Sequence, residues 1–345
     1  MVSFASDYIN GVHPKILDEI IKSNSEILPG YGEDCYCRSA IEKIKNACKA
    51  PDAQVFFING GTQTNQLVIS TMLSPWQGVI AAKTGHVSLH EAGAIEYTGH
   101  KVIELKSIDG KLKASDIETY VKTFYEDGNH EHMVFPGMVY ISLPTEYGTL
   151  YSKKELADIY EVCRKFDMTF YIDGARLIYA LGSRYCNVTL ADMAKLCDVF
   201  YIGGTKAGTL CGEALVFTHG NAPKHYINQI KQHGALSAKG RLYGVQFDAL
   251  FTNNLYLEIG RKTAESTDKL KDILTEANLE FFIDSPTNQQ FVVLSNEKIK
   301  GLEKHVGFSF WEKYDNNKSV VRFAVSWSTT DEELEELRNA LSYAD

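Results

Sequence analysis

Four short stretches of this 345-residue chain combine residue types that could do chemistry. In "CDVFYIGGTKAGTL" (197–210) a buried-looking strand gives way to small residues around Lys206. A lysine set in apolar or positive surroundings sheds its charge and becomes a nucleophile toward carbonyls, whereas alone it reads as a solvated turn residue. In "TFYIDGARL" (169–177) Asp173 closes an apolar run, so its carboxylate needs a partner to offset desolvation. Arg176 could be that partner in a plain ion pair, or Asp173 could hold a proton on a heterocyclic nitrogen. "FFINGGTQTNQ" (56–66) places Gly60, Gly61 and Thr62 at the head of a helix, where free N–H groups and the helix dipole favour an anion. Such caps also occur with no ligand, and no nucleotide fingerprint is matched. "GHVSLHEAGAIEYTGH" (85–100) offers His86, suited to ring stacking or acid–base work, and His90 one turn on, suited to packing. An i, i+4 histidine pair can bind metal, but the local sequence supplies no third ligand and no metal is expected.

The elements that must position these residues follow from periodicity. Near-continuous apolar runs read as strands at 54–59, 78–82, 101–105, 137–143, 168–173, 198–203 and 213–218. They alternate with amphipathic helical patterns such as 64–73, 153–166 and 189–196. This is an α/β protein with a mostly parallel sheet covered on both faces. From 239 to 277 the pattern is mainly helical, then β-like at 290–295 and 319–327, with an acidic helix from Thr330. The expected organisation is a large α/β part over 1–247, including an N-terminal arm, and a smaller α+β part over 248–345. Ligands in open α/β sheets gather at the carboxyl ends of strands, and all four stretches lie at such exits. An anion cradle, a histidine, an aspartate and a lysine on successive exits are together the groups needed to hold pyridoxal phosphate.

Composition sets the broad class. With 44% hydrophobic and 23% charged residues the chain can bury a sizeable core, and a formal net charge of −9 argues against nucleic-acid or membrane-surface partners. Seven irregularly spaced cysteines read as reduced thiols. Cys35-Tyr-Cys37 has no second pair at metal-ligand spacing. No apolar stretch has the length of a membrane span, and "MVSFASDYING" lacks the features of an export signal, so a cytoplasmic protein is expected.

Taken together, "SD" (6–7), "YGED" (31–34), "GGTQTN" (60–65), "GHVSLHEAGA" (85–94), "YIDGARL" (171–177), "GGTKAG" (203–208) and "RFAVSW" (322–327) resemble the L-threonine aldolases among the fold-type-I pyridoxal-phosphate enzymes. The resemblance covers nearly the whole chain. It implies the aspartate-aminotransferase type of fold and retro-aldol cleavage of β-hydroxy-α-amino acids to glycine and an aldehyde. Lys206 would form the internal aldimine, Asp173 would pair with the pyridine nitrogen, and His86 would stack on the ring and help proton transfer. Gly61 and Thr62 would hold the phosphate; Ser6, Arg176 and Arg322 would bind the substrate carboxylate. Tyr31, and Lys239 and Arg241 of "SAKGR" (237–241), would act from a neighbouring subunit, which implies a homodimer or homotetramer. The chain departs from the family where "LPTEYGTLYS" (143–152) replaces a Thr-His-Asn segment, where Ala207 follows the lysine, and at His90 and His100. These departures bear on the substrate side chain and threo/erythro preference, not on the cofactor. A β-eliminating lyase of aromatic or sulfur amino acids is the alternative activity, followed by an aminotransferase; a binding protein that kept the scaffold is the non-enzymatic one.

Overall fold

The computed structural model describes residues 1–343. Eleven strands form two sheets. They are β1 (Gln54–Ile58), β2 (Gln77–Ala82), β3 (Val102–Leu105), β4 (Phe135–Ser142), β5 (Thr169–Asp173), β6 (Val199–Gly203), β7 (Glu213–Phe217), β8 (Glu280–Phe281), β9 (Gln289–Ser295), β10 (Ser309–Lys313) and β11 (Lys318–Ala324). The large sheet has the order β1-β7-β6-β5-β4-β2-β3, and only β7 runs against the rest. Each apolar run expected before residue 219 is one of these seven strands. The small antiparallel sheet has the order β10-β11-β9-β8.

Strand residues alternate between two apolar layers, as a sheet covered on both faces requires. Ile80, Val139, Ile141, Phe170, Ile172, Phe200 and Ile202 belong to one core. Val79, Met138, Tyr140, Tyr171, Val199 and Tyr201 belong to the other, under the helix Gly61–Met72. The small sheet has a core of its own, which Val2 and Phe4 of the N-terminal arm join.

The helical region after residue 239 is divided. One helix runs Arg241–Leu250 and the next Leu255–Glu276, with Asn253 and Asn254 between them at φ of 52° and 58°. Two adjacent asparagines, which tolerate the left-handed region, are the sequence feature that permits the break. The long helix crosses Leu177–Gly182, which starts immediately after Arg176. At the crossing a Cβ on Gly182 would lie 2.2 Å from the Gly260 carbonyl oxygen, and one on Gly260 2.5 Å from that of Ile178. Gly260→Ala is therefore expected to cost about 1–3 kcal/mol in denaturant unfolding, because the helices must move apart.

Candidate active site

Because β7 is reversed, the carboxyl ends of β1, β2, β4, β5 and β6 share an edge with the start of β7. That edge opens into a cavity of about 380 Å³ whose walls include Gly61, Thr62, His86, Asp173, Arg176 and Lys206. The four strand exits singled out in the sequence thus meet in one place.

Asp173 is the best-held group. It is 4% exposed, and its carboxylate accepts from Tyr201 Oη (2.6 Å), the Ala175 N–H (2.9 Å), Tyr140 Oη (2.7 Å) and Asn65 Nδ2 (3.2 Å). All four donors are neutral. Arg176 is not the partner that local spacing suggested. Its Nε and Nη2 reach Asp7 of the N-terminal arm at 2.6 and 3.0 Å, and Asn288 donates to the same carboxylate at 2.9 Å. Burial pushes the Asp7 carboxyl up, but the charges of Arg176 and Lys206 overcome it and hold it well below the usual carboxylate range.

Lys206 lies in a tight turn, Thr205–Ala207, whose lysine carbonyl accepts from Tyr179 Oη at 2.6 Å. Glu213, paired across the sheet with Gly203, accepts from the Gly204 N–H and Thr205 Oγ1, both at 2.9 Å, and so fixes the turn. The glycines before the lysine serve the backbone: a Cβ on Gly203 would lie 2.3 Å from the Ala175 carbonyl oxygen, and one on Gly204 2.4 Å from that of Gly212. Ala207 is fully buried in the main core. Burial and the Arg176 charge hold the Lys206 amine down to about 8 from its ordinary 10.5, whereas burial pushes Glu213 up. Only a neutral amine attacks an aldehyde. Loading of pyridoxal phosphate, followed by visible absorbance, is therefore expected to accelerate with pH and level off above about 8, rather than climb toward 10.5.

His86 Nδ1 is 2.7 Å from Glu91 Oε1, which also accepts from Asn65 at 2.6 Å. Burial pulls the imidazole down, but the Glu91 hydrogen bond and the Asp173 and Glu91 charges outweigh it, leaving its pKa raised. The helix Gly61–Met72 begins at Gly60 with no side-chain cap, so its first N–H groups are free to meet a phosphate.

A second cavity of about 560 Å³ shares His86, Glu146, Arg176 and Lys206 with the first and adds Arg322, His90 and Trp311. Arg322 binds Gln289 Oε1 (2.9 Å) and the Ala5 carbonyl (2.8 Å), while its Nε and the hydroxyl of Ser6 are buried with no hydrogen-bond partner among the described residues. Tyr8, exposed, sets its ring 5.8 Å from Lys206 Nζ. Tyr31, Lys239 and Arg241 lie elsewhere in the chain. Lys231 Nζ stands over the Tyr31 ring, and the Arg241 guanidinium caps the carbonyls of Asn24 and Glu26. The described residues contain no cluster of three or more metal-ligating side chains.

These residues fit pyridoxal phosphate: a lysine whose amine is readily neutral, a carboxylate with only neutral donors around it, and an uncapped helix end, all on one cavity. Fold and site together define a fold-type-I pyridoxal-phosphate enzyme. A family model described as beta-eliminating lyase matches residues 4–296. The chain is 27% identical over 338 residues to a low specificity L-threonine aldolase of Pseudomonas sp. (strain NCIMB 10558), covering 97% of this chain and 95% of that one. The solved threonine aldolase of Leishmania major superposes with a TM-score of 0.95 at 42% identity, with 99% of each chain covered. Aspartate aminotransferase of Thermus thermophilus with maleate has a TM-score of 0.72 at 14% identity, covering 99% of this chain and 90% of that one, and shares the fold. The chain belongs to the beta-eliminating lyase family, and it is a lyase.

Sequence reasoning did not find Asp7, Asn65, Glu91, Tyr140, Glu146, Tyr201 or Glu213 as members of the site. Asp7, Asn65, Glu91 and Glu146 do lie within stretches singled out in the sequence, "SD", "GGTQTN", "GHVSLHEAGA" and "LPTEYGTLYS"; Tyr140, Tyr201 and Glu213 had no local signal beyond that of strand residues.

Proposed function

We propose that this enzyme cleaves L-threonine, L-allo-threonine and related β-hydroxy-α-amino acids to glycine and an aldehyde. The observation that carries this is the pair of adjoining cavities. One holds the lysine, aspartate and anion cradle; the other adds Arg322 and room for a substrate side chain, with Lys206 and Arg176 on the wall between them. The named activities of the Pseudomonas and Leishmania relatives support it.

Lys206 would bond the cofactor, Gly61 and Thr62 would hold its phosphate, and Asp173 would keep a proton on its ring nitrogen, with His86 against the ring face. When bound, pyridoxal phosphate supplies an electron sink for the pair released at Cα. Arg176, already fixed by Asp7, and Arg322, with Nε unpaired, would grip the substrate carboxylate together with the Ser6 hydroxyl. That grip turns the Cα–Cβ bond toward the ring, and such orientation can be worth several kcal/mol. Tyr31, Lys239 and Arg241 we assign to a neighbouring subunit's site in a homodimer or homotetramer. We infer a cytoplasmic enzyme, and the net negative charge supports the reading that it has no nucleic-acid or membrane-surface partners; no described helix is long and apolar enough to cross a membrane. A smaller second part is supported by the separate core of the small sheet, but the 247/248 boundary falls inside the helix Arg241–Leu250, whose Ala249 and Leu250 belong to the main core; residues 344 and 345 of the second part lie outside the described residues.

The test is a substrate panel: threonine, allo-threonine, phenylserine, tryptophan and cysteine, assayed for aldehyde, indole and pyruvate. Aldehyde from the hydroxy-amino acids is expected. Indole or pyruvate without aldehyde would establish the β-eliminating alternative instead.

A further inference from the structure

The wall between the two cavities contains a buried acid that the roles above leave unused. Glu146 follows β4 and is 8% exposed, yet it lines both cavities together with His86, Arg176 and Lys206. Its Oε1 is fixed by two donors, Ser142 Oγ at 2.6 Å and the His86 N–H at 2.9 Å. Among the described residues, no other residue hydrogen-bonds Oε2, and no lysine or arginine pairs with the carboxylate as one would in a structural ion pair. A buried acid so held, its carboxylate otherwise met only by its own backbone N–H and placed beside the reactive lysine, has the geometry of a group that exchanges a proton with a ligand.

The cleavage proposed above needs such a group at the β-hydroxyl. His86 is poorly suited to it, because its Nδ1 is committed to Glu91 and that contact favours the protonated ring. We propose that Glu146 is the catalytic base that takes the β-hydroxyl proton as the Cα–Cβ bond breaks. The inference rests on the retro-aldol reading of the site. In the step, the hydroxyl proton passes to Glu146 Oε2 and the oxygen's pair forms the aldehyde C=O. The Cα–Cβ bonding pair stays with the glycine fragment. Cα then takes a proton from Lys206, which exchanges with solvent, and Glu146 returns its own to water entering by the second cavity.

Burial raises the Glu146 carboxyl above its ordinary value against the Ser142 hydrogen bond, which brings its base strength nearer to working pH. The ionisable groups facing it are His86 after β2, Asp173 and Arg176 at the end of β5, Tyr140 on β4, and Tyr147 and Tyr151 on its own segment. Lys206 shares both cavities with it. Since the base must be ionised, cleavage should fall as pH drops through its pKa. Removing the Ser142 hydroxyl should move that fall to higher pH.

The test compares cleavage with a reaction at the same centre that has no hydroxyl: exchange of the α-hydrogen of glycine in D2O, followed by NMR on the loaded holoenzyme. Glu146→Gln is expected to keep the cofactor absorbance and glycine exchange while kcat for threonine cleavage falls about 10²–10³-fold with little change in KM. Glu146→Asp should recover part of the rate, and Ser142→Ala should shift the acidic limb upward. Cleavage by Glu146→Gln at the wild-type rate, or equal loss of cleavage and exchange, would overturn the assignment. If Glu146→Gln does not fold, an unmoved acidic limb in Ser142→Ala overturns it. A wild-type enzyme that exchanges glycine yet yields no aldehyde from any hydroxy-amino acid removes the aldolase reading, and this inference with it.

Discussion

Lys206→Ala is expected to yield a folded protein with no covalently bound cofactor and no aldolase turnover, a loss of at least about 10⁴-fold. The backbone gives no reason for misfolding. The turn around residue 206 is held by the Gly204 N–H, the Thr205 hydroxyl and the lysine's own carbonyl, all of which alanine keeps. Removing the amine also takes away a buried cation that stands near another, Arg176. Thermal stability without cofactor should therefore stay level or rise. Visible absorbance after incubation with pyridoxal phosphate, together with aldehyde release, checks the result. Retained absorbance would place the covalent link on another lysine.

Asp173→Asn should separate binding from chemistry. The carboxylate accepts four hydrogen bonds, two on each oxygen, and an amide can present only one oxygen to them. One pair of donors would face an NH2 group instead, at a cost of about 1–3 kcal/mol in unfolding. The functional loss should be larger. With no anion opposite it, the ring nitrogen of the cofactor is left unprotonated and accepts charge from Cα poorly. Cleavage is expected to fall at least about 10²-fold even where the cofactor still loads. Steady-state kinetics alongside the absorbance of the loaded variant reads both effects. Turnover near the wild-type rate would mean that the carboxylate serves the fold alone.

The four strand exits were legible because each joins an apolar run to a polar or glycine-rich turn within a few residues. What surrounds them was not. Tyr140 and Tyr201 read as core aromatics on separate strands, and their hydroxyls converge on Asp173 only through the register of β4, β5 and β6. Asp7 and Arg176 are 169 residues apart, so no local spacing could pair them, and the partner that spacing offers Arg176, as one of two open readings, is its neighbour Asp173. The reversal of β7 had a visible cause. The segment between Gly203 and Glu213 is too short for the crossover that a parallel neighbour needs. That reversal turns Glu213 toward the lysine turn. Strand β10 escaped notice because an irregularity at Phe310/Glu312 breaks its alternation.

The N-terminal arm ties ends of the chain that are made at different times. The Phe4 N–H bonds the Gly307 carbonyl, the Ala5 carbonyl receives Arg322, and Asp7 joins Arg176 and Asn288. Arm residues thus wait for Asn288, Gly307 and Arg322, which are translated 281 or more residues later. During synthesis the large sheet can form, with Asp7 already made to meet Arg176, while Asn288 and Arg322 do not yet exist. A nascent or C-terminally truncated chain would have the lysine and the cradle without the completed carboxylate grip, so competence arrives only after strand β11 has left the ribosome.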